Sequence, residues 1–397
     1  MILNSISYLD CIVFCILLAP QLLIHVGVFE TISVVLHCLP FLLLELPYNF
    51  IRERYFTKYG NRSPFVQQAS PFEDLVVRCV RYAFARIPPN VGRVFFSKPV
   101  ALPFLRFRML RHGYIRSPVH WHEYQDKRFR GIWIIHDPMR RPDLCVYYAH
   151  GGGFFMGSSH FYMEFLLSWL DLLKKAGYEN PSIFALDYTL VPDSRFPKQL
   201  EEAAAAYEHV LSMVGNSARV CVSGDSAGAT IILSLLLRLA NKDRHSNQVD
   251  GVQIKRLPKP ALAILISPWV TLVSDSHHNT KSDYLDTARL HLYANEYARD
   301  AVSLNGHVAS PGQCRDISWW CQACPLRGLF VAYGNEEVFA PEIGELVQFW
   351  KKGGIKVTSR GEVGGIHAWP VASLFLSESN GRLKGLKALV QVIRDNI

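Results

Sequence analysis

The sequence predicts an α/β protein on a mostly parallel central sheet, with an apolar N-terminal anchor and extra elements over the sheet. Three observations carry this. Short apolar, β-branched or aromatic runs alternate with helical stretches from Gly131 onward, the order expected of βαβ units. A Gly-x-Ser-x-Gly pentapeptide, Gly224 to Gly228, falls between one such strand and the next helix. Residues 7–50 are almost continuously apolar.

Composition agrees. The chain has 397 residues, 49% hydrophobic and 19% charged, which excludes a mainly disordered protein. That length allows one large domain with additions, or two domains. Nine cysteines are too few for a disulfide-built scaffold, and the odd count leaves at least one unpaired. The net charge of +8 is unevenly placed. Residues 1–51 hold no Lys or Arg, whereas residues 52–142 hold 18 Lys/Arg against 6 Asp/Glu. A basic block directly after an apolar segment points to a membrane surface rather than to nucleic acid.

Within residues 1–51 two apolar runs, Cys11 to Val28 and Thr31 to Leu46, come near the roughly 20 residues a helical span needs. Pro20, His25, Glu30 and Pro40 interrupt them, so one long tilted span and a tight hairpin both remain open. The absence of a basic start and the length of the run argue against a cleaved signal peptide. Tyr48, Phe50, Tyr55 and Phe56 would form an interfacial aromatic belt, and Arg52, Arg54, Lys58 and Arg62 follow it. These cations favour a cytoplasmic body, while the sequon Asn61-Arg62-Ser63 leaves a lumenal one open. Residues 52–130 read as a basic juxtamembrane or cap segment.

Residues 131–397 read as the catalytic domain. Gly131–His136, Leu144–Ala149, Ser182–Leu186, Arg219–Val222, Ala261–Ile266, Gly328–Tyr333 and Ile355–Ser359 are expected strands. Phe161–Lys175, Pro197–Val214, Ala227–Ala240, Pro341–Lys352 and Arg382–Ile397 are expected helices. The polar stretch at about 270–326 breaks this rhythm and reads as an insertion at the top of the sheet.

Ser226 lies at the strand-to-helix turn, where a tight strained bend projects a hydroxyl above the sheet and the helix N-terminus favours negative charge. Asp225 precedes it. His150-Gly151-Gly152-Gly153 follows an earlier strand, and its glycine N–H groups, with that of Ala227, can hold an oxyanion. His367, the only histidine after His307, sits in a loop after the final strands, where the base of such a site is expected. The acid is expected in the loop after Gly328–Tyr333, which offers Glu336 and Glu337. Cys314, Cys321 and Cys324 read as free or occasionally paired thiols rather than a zinc site. Asp193 reads as a turn residue.

These motifs make the chain resemble the hormone-sensitive-lipase-like family of α/β-hydrolases, through HGGGF at 150–154, DYTLVPDSRFP at 187–197, GDSAG at 224–228 and SPW at 267–269. With its N-terminal segment it resembles arylacetamide deacetylases and fungal steryl acetyl hydrolases. The resemblance implies a serine, acid, histidine order and an oxyanion hole from the glycine loop and Ala227. The family usually has Asp followed two residues later by an apolar residue; aligning Phe339 with the latter selects Glu337.

The expected function is a membrane-anchored serine esterase or deacetylase for a lipophilic ester, in an endomembrane such as the endoplasmic reticulum. It needs no metal or organic cofactor. An acyltransferase or amidase on the same triad is the alternative. A ligand-binding receptor is disfavoured because Ser226, Glu337 and His367 are all present. Nothing in the sequence reports oligomeric state.

Overall fold

The computed structural model describes residues 1–240, 257–299, 306–378 and 381–397. Its eight strands are β1 (His120–Gln125), β2 (Arg130–Ile135), β3 (Leu144–Ala149), β4 (Pro181–Leu186), β5 (Val220–Asp225), β6 (Leu262–Ile266), β7 (Leu329–Gly334) and β8 (Val357–Glu362). They lie in the order β1-β2-β4-β3-β5-β6-β7-β8. The pairs β1–β2 and β2–β4 are antiparallel and the remaining pairs are parallel.

Helices cover both faces of this sheet, which is why its central strands are apolar throughout rather than alternating. In β3, Cys145, Tyr147 and Ala149 point into one core and Leu144, Val146 and Tyr148 into the other. The first core is closed by the helices Lys198–Val214, Ala227–Ala240 and Ala340–Lys352. The second is closed by Met163–Lys175 and Lys384–Asn396. In register, Ala149 lies opposite Gly224 across β3 and β5. The loop after β3 therefore starts beside the turn after β5.

The sheet begins at His120, upstream of the expected start at Gly131. β1 is a solvent-facing edge strand, HWHEYQ, without the apolar run that reveals an inner strand. The expected insertion contains the helix Thr287–Ala298, whose N-cap Asp286 accepts from Arg289 N–H at 2.9 Å. Residues 300–305 of that insertion lie outside the described residues.

Two helices precede the body, α1 (Tyr8–His25) and α2 (Val28–Phe56), each long and apolar enough to cross a membrane. A capping box starts α1: Asp10 N–H donates to Ser7 Oγ, and Ser7 N–H donates to Asp10 Oδ2 at 2.7 Å. α2 widens into π geometry at Phe41–Glu45, directly after Pro40, whose missing N–H interrupts the ladder. The helices Pro71–Arg86, Pro89–Phe95 and Lys98–Arg111 follow.

The start of the chain is not a separate tether. Met1 and Leu3 are buried in the second core, and Ile6 N–H donates to Phe375 O at 2.8 Å. Buried Arg108 donates to both Glu164 oxygens at 2.7 Å and lies 3.2 Å from buried Asp10, which Arg111 also contacts at 2.6 Å. The first ten residues pack into the body, because their apolar and charged groups find partners far along the chain.

Candidate active site

Ser226 stands between the last residue of β5 and the helix Ala227–Ala240 with φ of +52°, a left-handed conformation that costs a non-glycine residue of order 1–3 kcal/mol. The turn is held by Ser226 N–H donating to Ile266 O at 2.9 Å. A Cβ on Gly228 would run into the Ala149 carbonyl, so only glycine lets helix and sheet pass this closely.

The loop after β3 is clamped to that turn. Asp225, buried, accepts from Gly151 N–H at 2.8 Å, Tyr148 hydroxyl at 2.6 Å and Tyr162 hydroxyl at 2.8 Å. Burial raises its pKa, against the two tyrosine hydrogen bonds that lower it. His150 stacks on Tyr188 at 4.4 Å, and its Nδ1 lies 2.7 Å from Gly151 O. Gly152 has φ of +114°. The N–H of Gly151 is therefore committed to Asp225, which corrects its expected place among the oxyanion donors. The N–H groups of Gly152, Gly153 and Ala227 donate to no group among the described residues.

Glu337 and His367 come together on the loops after β7 and β8. Glu337 Oε2 lies 3.7 Å from His367 Nδ1, longer than a hydrogen bond, and apo sites commonly tighten such contacts only with substrate. The same oxygen accepts from Ser267 Oγ at 2.6 Å and Gly334 N–H at 3.1 Å. Both side chains are buried. Burial alone would lower the imidazole pKa; the Glu337 carboxylate outweighs it and raises it. Burial likewise raises that of Glu337. Glu336 points elsewhere, with Ser282 Oγ at 3.4 Å from its carboxylate.

Residues 146–371 match the alpha/beta hydrolase fold family. The chain belongs to the alpha/beta hydrolase family. The hydrolase is 31% identical over 238 residues to an acetyl-hydrolase of Streptomyces hygroscopicus, covering 58% of this chain and 70% of that one. It is 24% identical over 266 residues to a Schizosaccharomyces pombe relative whose name provisionally assigns it steryl acetyl hydrolysis, covering 63% and 67%. An esterase structure from the bacterial hormone-sensitive lipase family superposes with a TM-score of 0.62 at 22% identity, over 83% of the hydrolase and 99% of that chain; this likeness is one of fold.

Two residues of the hydrolase site escaped the sequence reading. Ser267, with φ of +45°, bridges Glu337 and Ala368, whose N–H donates to its Oγ at 2.9 Å. Asp283, buried in the insertion, accepts from His367 N–H at 2.9 Å and Val338 N–H at 3.0 Å. It thus holds the backbone at His367 and beside Glu337. Ser267 belonged to a quoted motif; Asp283 gave no local signal, since its partners are distant in sequence. Asp193 pairs with Arg93 at the surface, and Cys314, Cys321 and Cys324 are free thiols.

Proposed function

We propose that this hydrolase is a membrane-anchored serine carboxylesterase or deacetylase acting on a lipophilic ester. In this reading His367 takes the Ser226 proton as the hydroxyl attacks the ester carbonyl. Glu337 orients the imidazole and stabilises the imidazolium. The N–H groups of Gly152, Gly153 and Ala227 receive the oxyanion. The alcohol leaves with the proton from His367, and water then repeats the cycle on the acyl-enzyme.

One observation carries the reading. Ser226 is held on a strained turn next to three N–H groups that donate to no group among the described residues, while a buried imidazole lies 3.7 Å from a buried carboxylate. The names of the relatives favour short acyl groups, acetyl first. Aromatic walls near the glycine loop favour an apolar alcohol: Tyr293 stacks on Phe155 at 4.3 Å and meets Phe84 edge-on at 6.0 Å. The apolar helices α1 and α2 support an endomembrane location such as the endoplasmic reticulum.

The test is a p-nitrophenyl ester series of rising acyl length, run with a serine-directed phosphonate probe. Wild-type protein should label once and prefer short chains. Ser226→Ala should lose labelling and roughly 10⁶ of the rate. Near-normal turnover by that variant would sink the assignment.

A further inference from the structure

α1 and α2 could each cross a bilayer by length, yet neither stands clear of the protein. In α1, Asp10 is tied to Arg108 and Arg111, and Phe14 packs against Phe95 at 4.6 Å and Phe104 at 5.0 Å. At the turn between the helices, Asn90 donates to Glu30 at 2.8 Å. Along α2, the Tyr82 hydroxyl donates to His37 O at 2.9 Å, Phe41 stacks on Tyr82 at 4.0 Å, Arg78 pairs with Glu53 at 2.6 Å and Arg54 with Asp74 at 2.9 Å. The partners of residues 30, 37, 53 and 54 are thus 90, 82, 78 and 74. From His37 to Arg54, α2 runs antiparallel to the helix Pro71–Arg86 over about 25 Å, at about 1.5 Å per residue.

That arrangement is incompatible with a crossing helix. If α2 traversed the hydrocarbon core, about 30 Å thick, it would carry the C-terminal part of Pro71–Arg86 into it, including exposed Arg86. The outer surface of the pair is apolar instead. Ile24, Val28, Phe29, Leu36 and Leu43 are exposed, Phe29 by 90%. Large exposed apolar side chains on this scale mark an interaction site. Arg52, Lys58, Arg86 and Arg106 are exposed in the segment that follows, which carries 18 Lys/Arg against 6 Asp/Glu. Cations beside an apolar face suit an anionic headgroup layer over acyl chains.

We infer that the two helices seat the enzyme in one leaflet of an anionic bilayer, lying along it without crossing, with Met1 and the catalytic body on the same side. This rests on the reading of the segment as a membrane anchor, and it refines that reading from a span to an in-plane hairpin.

Full-length protein carrying Cys15→Ser and Cys321→Ser is reconstituted in mixed phosphatidylcholine and phosphatidylserine vesicles. Nitroxide labels are placed singly at Ile24→Cys, Phe29→Cys, Leu36→Cys and Leu43→Cys, with the unsubstituted background protein as blank. All four sites are outward-facing, and retained esterase activity verifies the fold of each variant. Depth is read from relative accessibility to oxygen and to a water-soluble nickel complex. An in-plane hairpin puts all four labels at a similar shallow depth, within about one helix diameter of 10 Å. A crossing α2 separates positions 29 and 43 by about 20 Å along the normal, and that gradient overturns the in-plane seat while leaving the anchor intact. Flotation of the same samples addresses the anchor itself: protein that stays at the bottom of the gradient overturns both.

Discussion

Glu337 and Glu336 are adjacent in sequence and opposite in environment. Glu337 is buried against Ser267, Gly334 and His367, whereas the Glu336 carboxylate turns to Ser282. Glu337→Gln should lower kcat by up to about 10⁴, because an amide no longer fixes the imidazole or stabilises its cation. Glu336→Gln should leave kcat within a few-fold. If the ranking reverses, the acid has been misassigned. A pH profile gives an independent sign. A base at His367 would work as neutral imidazole, and Glu337 raises its pKa against the opposing effect of burial. The acid limb of kcat/KM should therefore lie above the ordinary histidine value of about 6.5. In Glu337→Gln, whatever activity survives should have its acid limb moved to lower pH, since the raising charge is gone. A limb that stays in place would show that another group sets it.

At the scale of elements, the Asp10–Arg108–Glu164 cluster joins α1, the helix Lys98–Arg111 and the helix Met163–Lys175. Arg108→Met would leave two buried carboxylates facing an apolar side chain. A loss of about 3–5 kcal/mol is expected, read as a lowered midpoint in urea with the slope unchanged. A change below about 1 kcal/mol would mean that water already reaches the cluster. This joint was invisible in the sequence, where Asp10 is a lone acid in an apolar run and its partners lie far downstream. The buried inner strands and the helices between them were legible because doubly covered strands are apolar at every position. β1 was not, because half its face is solvent. Ser226, His150 and His367 were legible because their chemistry demands short local patterns. The commitment of Gly151 N–H to Asp225 could not be read, since motif spacing does not report where a backbone donor points.

At the scale of the whole molecule, the apolar N-terminal helices and the body share packing, so they should not separate cleanly. Deleting residues 1–51 removes Met1 and Leu3 from the core, strips Asp10 from Arg108, and exposes Tyr82, Phe95 and Phe104. The shortened protein should aggregate or melt well below the full chain in a thermal scan. A soluble truncation with the full-length melting temperature would contradict the packing at the chain's start. With an in-plane seat, the binding of full-length protein to anionic vesicles should weaken as salt is raised, and detergent should release what remains. Asp283 has a consequence of another kind. Exchanging the segment over an active site is a common way to transplant substrate range between related enzymes, on the assumption that such a segment only shapes the entrance. In this chain the segment also contributes the carboxylate that fastens the loops bearing Glu337 and His367. A donor segment lacking an acid at that position would bring a new entrance and at the same time loosen the machinery beneath it. A graft that keeps Asp283 and replaces only what lies around it can change what enters without unfastening what reacts.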